Sequence, residues 1–364
     1  MDTNTINSVT TDKVSVIEKM NSMGHEQVLF CQDEETGLKA IVAIHNTVLG
    51  PALGGTRMWN YATEEDALID VLRLSKGMTY KASISGLNLG GGKAVIIGDS
   101  RKQKSEALFR RFGKFVNSLN GKYITAEDVG INPKDMSYVA METNYVSGLP
   151  GKSGDPSPVT AYGVYMGMKA SAKFQYGNDN LSGKKVVVQG VGHVGEYLVE
   201  LLDKEGAKIY ISDIHEDTLK HVSAKYNSEV VGVNDVYDVD MDIYAPCALG
   251  ATVNDNTLSR LKCSIIAGAA NNQLAEEKIH GERVKEMGIV YAPDYLINAG
   301  GLMNVYSEIH NISREQTMAM AEGIYQSTLG VLNKAAKENV ATYLASNRIA
   351  EERVSSIAKI KQYI

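Results

Sequence analysis

Two lysines lie twelve residues apart in the run MTYKASISGLNLGGGKAVIIGD, which spans residues 78–99. The second, Lys93, follows three consecutive glycines, and apolar residues flank the run on both sides. Glycine costs conformational entropy in a folded segment, so this density indicates that something approaches the backbone closely. We interpret the run as a place where a small ligand lies against the backbone and a lysine points at it. The alternative is a flexible surface loop that ends in a solvated lysine.

The two lysines, Lys81 and Lys93, can divide one task between them. A protonated lysine binds a carboxylate, whereas a lysine whose pKa falls from about 10.4 toward about 7–8 can act as a general base. Burial and a neighbouring cation both lower the pKa, so two lysines in one pocket suggest one fixed charge and one tuned base. Asp128 could transfer protons, hold a lysine charged or be a surface carboxylate. Its neighbour Glu127 has the same chemistry, but adjacent strand residues face opposite sides, so only one should face the lysines.

A dinucleotide fingerprint follows in the second half of the chain. The run VVVQGVGHVG predicts a strand, then G-x-G-x-x-G at Gly190, Gly192 and Gly195, then a helix. A second predicted strand ends at Asp213, eighteen residues after Gly195, which completes the context that the motif requires. Pyrophosphate would lie at the helix N-terminus and Asp213 would accept from ribose hydroxyls. A carboxylate repels a 2′-phosphate and no arginine follows it, which indicates NAD rather than NADP. The alternative is that Asp213 only caps the next helix.

The elements that position these residues fall into two groups. In the first half the pattern predicts a hairpin, three helices and a strand, over 27–44, 63–77, 105–119, 132–141 and 123–130. Residues 51–56, with paired glycines, interrupt that pattern, and the Gly/Pro/Ser-rich segment 147–158 predicts a domain boundary. From residue 184, short apolar strands alternate with helices, which predicts a doubly wound, mostly parallel sheet. Those strands are expected at 186–189, 208–212, 242–245, 264–268 and 288–291.

Composition restricts the class of protein. The 364 residues are 44% hydrophobic and 22% charged, which is typical of a globular protein of two domains. A net charge of −6 with dispersed Lys and Arg disfavours nucleic-acid binding, and the lack of eighteen consecutive apolar residues disfavours a membrane span. Three isolated cysteines disfavour disulfides and a thiolate metal site, so we expect no metal and a reducing cytoplasm. The polar N-terminus is not expected to be a secretory signal, and its first twelve or so residues are expected to be disordered.

Eight separated blocks resemble the amino-acid dehydrogenases of the glutamate/leucine/phenylalanine/valine family, in that family's order. They are GPALGGTRMW, MTYKASISGLNLGGGKAVI, YITAEDVG, GDPSPVTAYGVYMGMKA, GVGHVG, APCALGA, AANNQL and INAGGLMNV. The resemblance runs from about residue 25 to the C-terminus. It implies reversible oxidative deamination of an L-amino acid to its 2-oxo acid and ammonia, with hydride transferred to nicotinamide. It also implies a homo-oligomer, typically an octamer.

The resemblance implies an α/β fold of two domains with the active-site cleft between them. The substrate-binding and oligomerisation domain is expected over 1–148 and the Rossmann-type NAD-binding domain over 149–334. The C-terminal helices, over about 335–364, are candidates for packing back on the first domain.

The resemblance also implies a role for each chemical residue. Lys81 would hold the substrate carboxylate, Lys93 would be the base that activates water, and Asp128 would be the proton shuttle, which agrees with the division argued above. The other predicted substrate-binding residues are Leu53, Gly54, Gly55, Met78, Ala126, Asn272, Leu302 and Val305. The predicted NAD-binding residues are Gly190, Gly192, His193, Val194, Gly195, Asp213, Ile214, Thr160, Ala245, Cys247, Asn272 and Asn298. The histidine inside the fingerprint is expected near the pyrophosphate, without a catalytic role.

Leu53 stands where the glutamate dehydrogenases of this family have a lysine for the side-chain carboxylate. Burying that carboxylate against leucine would cost roughly 2–7 kcal/mol or more, which disfavours glutamate. Leu53, Ala126, Leu302 and Val305 would form an apolar pocket, so L-leucine and other branched-chain amino acids are expected as substrates. A valine- or phenylalanine-preferring enzyme is the alternative, since one methylene is worth only about 1–3 kcal/mol. Leu302 and Ile131 depart from the expected valine and threonine, and a bulkier Leu302 would favour valine somewhat.

Two hypotheses from other functional classes explain less of the sequence. An inactive NAD-binding regulator should have lost a lysine or the acid, and all three are present. A small-molecule methyltransferase would also use a glycine-rich strand and turn, but it would not explain the run of lysines and glycines.

Overall fold

The computed structural model describes residues 15–149, 151–152 and 154–361, without the side chain of residue 361. The disorder expected of the first twelve or so residues concerns a part of the chain outside this description. Within the described ranges, no helix is long and apolar enough to cross a membrane. In the same ranges, no group of three or more His, Cys, Asp or Glu residues is placed to hold a metal ion.

The first sheet has five strands in the order β1-β2-β4-β3-β5. They are β1 Gln27–Asp33, β2 Leu38–Asn46, β3 Ala52–Trp59, β4 Gly90–Ile97 and β5 Tyr123–Glu127. The predicted hairpin is confirmed, because β1 pairs with β2 in antiparallel register. The interruption predicted over 51–56 is wrong: these residues lie in and beside β3, which runs parallel to both β4 and β5. The carboxyl ends of three parallel strands therefore meet at one edge of the sheet.

Helices cover both faces of this sheet. They are α1 Val16–Met23, α2 Glu64–Ile84, α3 Glu106–Ser118 and α4 Pro133–Ala140. Strand β2 alternates between the two layers, since Ile41 packs with α2 and Val42 packs with α3. The cap predicted at Asn132 is confirmed, because its side chain accepts from the backbone N–H of Asp135.

Helix α2 is longer than the sequence predicts. It continues through Gly77 to Ile84, so Lys81 lies in its last turn and not in a glycine-rich loop. A glycine inside a helix costs about 1 kcal/mol relative to alanine. Burial of Thr79, Ala82 and Ile84 along the added turns offsets that cost.

The three glycines before Lys93 serve close packing within the protein. A Cβ at position 91 would lie 2.1 Å from Thr79 Oγ1 of α2, and one at position 92 would lie 2.6 Å from the ring of Tyr123. A Cβ at position 90 would lie 2.0 Å from the carbonyl oxygen of Asn46. The close approach is therefore to the chain's own atoms, which corrects the expectation that a ligand is what requires glycine here. It lets α2 lie directly on β4.

The second sheet has six parallel strands in the order β11-β10-β9-β6-β7-β8. They are β6 Lys185–Gln189, β7 Lys208–Ser212, β8 Ser228–Val230, β9 Ile243–Pro246, β10 Ile265–Ile266 and β11 Val290–Tyr291. The predicted doubly wound α/β sheet is confirmed. Strand β8 was not predicted, since its three residues are too few to show a pattern.

Ten helices complete the described part of the second half. They are α5 Ser157–Tyr176, α6 His193–Glu205, α7 Glu216–Lys225, α8 Asp255–Leu258, α9 Glu277–Glu286, α10 Asp294–Ile297, α11 Gly300–His310, α12 Arg314–Glu322, α13 Ile324–Glu338 and α14 Thr342–Lys361. We call the first sheet with α1–α4 the first unit, and the second sheet with its helices the second unit. Helix α14 packs back against the first unit. The guanidinium of Arg353 donates to the carbonyl oxygens of Ser83 and Leu87 at 3.0 and 2.8 Å, and Ser83 Oγ donates to Ala350 O at 2.7 Å. These bonds join the C-terminal helix to the end of α2.

Candidate active site

The site begins on one face of the first sheet, the face that α2 covers. Register places Leu53 of β3 beside Gly91 of β4 and Ile124 of β5, so residues two and four positions further along share that face. Lys93 and Arg57 are such residues, and Asp128 follows the end of β5. The strand pattern therefore brings a lysine, an arginine and a carboxylate together under α2.

Lys93 and Asp128 form an ion pair. Lys93 Nζ lies 2.7 Å from Asp128 Oδ2, and the lysine side chain is only 8% exposed. The adjacent carboxylate, Glu127, is exposed, so Asp128 is the acid that faces the lysine. Gly55 makes this possible, because a Cβ there would lie 2.9 Å from Asp128 Cβ and 2.4 Å from Glu127 O.

Burial and charge set the protonation states in this pair. Burial lowers the pKa of Lys93 below its ordinary value, although Asp128 partly opposes the change. Burial also acts against ionisation of Asp128, but the cations of Lys93 and Arg57 outweigh it and hold the pKa of Asp128 below the usual range. The pair therefore combines an ionised carboxylate with a lysine that gives up its proton more readily than a free one.

Lys81 reaches from α2 to the second unit. Its Nζ donates to Asn298 Oδ1 at 2.6 Å, and Asn298 Nδ2 in turn donates to Ala269 O and Asn271 Oδ1 at 3.0 and 2.7 Å. Burial, with repulsion from Lys93 and against the attraction of Asp294, lowers the pKa of Lys81 to about 8. The structure thus brings Lys81, Lys93 and Asn298 together where the two units meet.

Apolar side chains flank the two lysines on the same sheet and helix: Leu53 shares the sheet face of Lys93, and Met78 lies about one helical turn before Lys81 on α2. Leu53 and Leu302 are buried members of one continuous apolar cluster, and Met78 and Val305 pack against it. Ala126 is also buried but is not a member of that cluster. Ile131 is buried in the core between the first sheet and α3 and α4, so its departure from the expected threonine concerns packing of that core.

The three fingerprint glycines differ in what surrounds them. Gly190 has a φ of +98°, and a Cβ there would lie 2.5 Å from that of Ala248. A Cβ at position 195 would lie 2.0 Å from Gly190 O, so Gly195 lets α6 pack closely on the turn. Gly192 precedes α6 and has no atom within 4 Å of its Cβ position. These are the surroundings that a tight turn, a close helix contact and an open approach to a pyrophosphate require, and the residues present fit a dinucleotide.

Asp213 lies at the carboxyl end of β7, beside the fingerprint. Its Oδ2 accepts from the backbone N–H of Val191 at 2.9 Å, and its Oδ1 accepts from the N–H of His215 at 3.0 Å. The second bond reaches only the N-cap residue of α7, which has no side-chain capping bond, so the alternative that Asp213 caps that helix is wrong. The first bond fixes the carboxylate at the fingerprint turn. Each oxygen keeps a further lone pair for a hydroxyl donor.

The other residues predicted to bind the cofactor differ in how exposed they are. Ala245 is fully buried in β9, where it pairs with Val188 of β6. Cys247 donates its backbone N–H to Gln189 O at 2.7 Å, and Thr160 Oγ1 lies 3.4 Å from the Cβ position of Gly301. Ile214 is 79% exposed. The remaining predicted positions, His193, Val194 and Asn272, are exposed or half-buried.

Two residues of the site were not predicted. Arg57 contacts Asp128, and its signal was available, because it lies two positions past Gly55 on the same strand face. Asp294 is a buried carboxylate held by the backbone N–H groups of Gln273 and Tyr295 at 3.0 and 2.6 Å. Burial raises the pKa of Asp294, and no sequence pattern marks its approach to Lys81.

Comparisons with known proteins cover nearly the whole chain. A family model described as Glu/Leu/Phe/Val dehydrogenase, dimerisation domain, matches residues 25–145. A second, described as Glutamate/Leucine/Phenylalanine/Valine dehydrogenase, matches residues 151–215 and 210–361. The chain is 54% identical over 347 residues to leucine dehydrogenase of Bacillus cereus, covering 94% of each. It is 47% identical over 354 residues to phenylalanine dehydrogenase of Thermoactinomyces intermedius, covering 96% of each.

A solved structure agrees with these relatives. The crystal structure of L-tryptophan dehydrogenase from Nostoc punctiforme matches with a TM-score of 0.87 at 43% identity, covering 94% of this chain and 100% of that one.

Proposed function

Because the chain belongs to the glutamate/leucine/phenylalanine/valine family of amino-acid dehydrogenases, we propose that it catalyses reversible oxidative deamination of L-leucine and other branched-chain L-amino acids, with NAD as cofactor. The observation that carries this proposal is the buried ion pair of Lys93 and Asp128, together with a second lysine, Lys81, that is bonded to Asn298. In this proposal residues 1–148 bind substrate and residues 149–334 bind the dinucleotide.

Lys81 is proposed to hold the substrate carboxylate. An arriving carboxylate supplies the opposite charge that the buried ammonium lacks, so binding favours the protonated form of Lys81. Asn298 Oδ1 accepts from Lys81 Nζ and so aims the ammonium at the junction of the two units. A carboxylate bound there would place the α-carbon near Lys93.

Lys93 is proposed to be the general base, with Asp128 as its proton partner. NAD, when bound, supplies the acceptor for the hydride that leaves the α-carbon. Loss of that hydride from the neutral substrate amine leaves a C=N bond, and neutral Lys93 takes a proton from the water that adds to its carbon. The C–N bond then breaks as the nitrogen receives a proton and leaves as ammonia, and the hydroxyl gives up its proton as the C=O bond forms. Asp128, 2.7 Å from Lys93 Nζ, can pass protons between the lysine and the leaving amine.

Asp213 supports NAD over NADP. Its carboxylate is fixed at the fingerprint by the N–H of Val191, where it can accept from ribose hydroxyls and repel a 2′-phosphate. The neighbouring side chain, Ile214, carries no charge that would compensate such a phosphate.

Leu53 supports an aliphatic substrate. It is 3% exposed and shares the sheet face of Lys93, so a glutamate side chain directed against it would lose its hydration without a partner. The higher identity to a leucine dehydrogenase than to a phenylalanine dehydrogenase, 54% against 47%, supports the same choice. A valine preference stays the second candidate, because Leu302 occupies room that a longer side chain would use.

We also infer a homo-oligomer. The support is the description of the model for residues 25–145 as a dimerisation domain, and an octamer is the specific form proposed. Light scattering on the purified chain tests it, and a monomer at micromolar concentration would contradict it. A cytoplasmic location is proposed on the three free cysteines.

The test is NADH formation by purified protein with leucine, valine, isoleucine, phenylalanine and glutamate, repeated with NADP. We expect turnover of the branched aliphatic substrates with NAD. A preference for glutamate would contradict the argument from Leu53, and a preference for NADP would contradict the argument from Asp213. Binding of NAD without any turnover would favour the hypothesis of an inactive NAD-binding regulator.

A further inference from the structure

Arg57 lies between two carboxylates at the candidate site. Its Nε donates to Asp128 Oδ2 at 3.1 Å, and its Nη1 donates to Asp70 Oδ2 at 3.0 Å. The arginine side chain is 23% exposed, and those of Asp128 and Asp70 are 23% and 17% exposed. The guanidinium therefore joins the end of β5 to helix α2 from its position on β3.

One carboxylate oxygen receives both neighbouring cations. Asp128 Oδ2 is 2.7 Å from Lys93 Nζ and 3.1 Å from Arg57 Nε, so the two nitrogens lie within about 6 Å of each other. At that separation, in a site that is mostly closed to water, like charges repel each other strongly. Arg57 keeps its proton at every pH where the enzyme would work, so the repulsion acts on the protonated form of Lys93.

The far side of Arg57 is anchored independently. Asp70 also accepts from Tyr61 Oη at 2.7 Å and from Arg73 Nη2 at 3.0 Å. Asp70 belongs to α2, the helix that carries Lys81 in its last turn. The guanidinium is thus held in one orientation by groups that do not touch Asp128.

We propose that Arg57 is a positioning residue for the reaction: it holds the ionised Asp128 aimed at Lys93, and its fixed positive charge opposes protonation of Lys93, which favours the form that can accept a proton. This inference rests on the proposed function of Lys93 and Asp128. The charged and titratable groups that face this arrangement are Lys93 on β4, Asp70 and Lys81 on α2, Tyr61 after β3 and Tyr123 on β5.

The choice of arginine follows from the geometry. Nε and Nη1 point in fixed, diverging directions of one planar group, so they can bind two carboxylates on different elements at once. A lysine would supply the charge from a single nitrogen and would have to choose between Asp128 and Asp70. A glutamine would remove the charge altogether.

The test compares Arg57→Gln, Arg57→Lys and the control Arg73→Gln, which loses a contact to Asp70 but none to Asp128. The pH dependence of leucine deamination is measured from pH 7 to 11, together with KM for leucine. For Arg57→Gln we expect the rise of kcat with pH to move upward by on the order of one pH unit, with about tenfold lower kcat on the rising limb. In Arg57→Lys the pH midpoint of the kcat rise should lie close to the wild-type value, and in Arg73→Gln it should be unchanged.

A second measurement does not depend on turnover. Lys93 is acylated with a limiting amount of acetic anhydride at each pH, and its modification is quantified in the proteolytic peptide relative to the unfolded chain. The midpoint of labelling should rise in Arg57→Gln by the same amount as the kinetic midpoint. If Arg57→Gln does not fold, as judged by circular dichroism, Arg57→Met keeps the apolar stem and replaces it.

The outcomes separate the two proposals. A kcat lowered equally at every pH, with an unmoved labelling midpoint, would show that Arg57 only supports the fold and would overturn this inference. Unchanged kinetics in Arg57→Gln would overturn it as well. A wild-type protein without turnover would instead contradict the proposed function, and the labelling midpoints would still show whether Arg57 controls protonation of Lys93.

Discussion

The affinity of the site for a carboxylate should depend on the protonation of Lys81. Its pKa is lowered to about 8, and only its protonated form attracts a carboxylate. If the bound carboxylate keeps Lys81 protonated through pH 10, the dissociation constant should rise about 90-fold between pH 7 and pH 10, which corresponds to about 2.7 kcal/mol. At pH 9, binding should take up about 0.9 proton, because roughly nine-tenths of the free lysine is then neutral.

The assay uses 4-methylpentanoate, which has the carboxylate and branched chain of leucine but no amine that titrates or reacts. Its affinity is measured by isothermal titration calorimetry from pH 7 to 10, and proton uptake is obtained at pH 9 in two buffers of different ionisation enthalpy. Lys81→Arg is the matched control, since arginine stays charged and should give an affinity that is flat with pH. A flat profile in the wild type, without proton uptake, would refute the reasoning and place the carboxylate elsewhere.

Three further predictions follow from the described contacts. Lys93→Met should lower kcat by on the order of 10²–10⁴-fold while NADH binding, followed by fluorescence, stays unchanged; retained turnover would assign the base to another group. Leu53→Lys should raise kcat/KM for glutamate relative to leucine by about tenfold or more, whereas Leu53→Met should keep the leucine preference. His25 and His45 are buried with pKa values lowered to about 4, by burial first, so the unfolded chain binds protons at them that the folded chain does not. The free energy of unfolding should therefore be fully retained above pH 6.5 and fall toward pH 4, by at most about 3 kcal/mol for each histidine; urea unfolding at pH 7.5 and 5.0 measures this, and equal values would contradict it.

Local patterns in the chain determined much of the fold. The hairpin, the parallel sheet of the second half and the start of α6 all followed from residues within ten or so positions of one another. Such patterns are readable because an amphipathic strand or a glycine turn is specified by its own neighbours. The same holds for the residue types at the site, since two lysines and an aspartate limit the chemistry before any distance is known.

Only the tertiary structure shows why certain glycines are needed and where helix α2 ends. Gly91 is needed because Thr79 of α2 packs against it, and no local pattern states which element will lie over a strand. Helix α2 passes through Gly77 because its last turns are buried against the sheet and α14, a gain that propensity does not include.

The site itself was only partly determined by sequence. Lys93, Asp128 and the fingerprint could be named from types and spacing. The ion pair, the contact of Lys81 with Asn298 and the place of Arg57 between two carboxylates join residues 13 to 217 positions apart. The protonation of these groups depends on burial and on charges carried by other elements. The electrostatic interaction with such a charge depends on its distance in space, over a few ångströms, and not on its separation along the chain. The sequence thus determined which chemical groups are available, and the packing of α2 on the first sheet and against the second unit decided which of them meet.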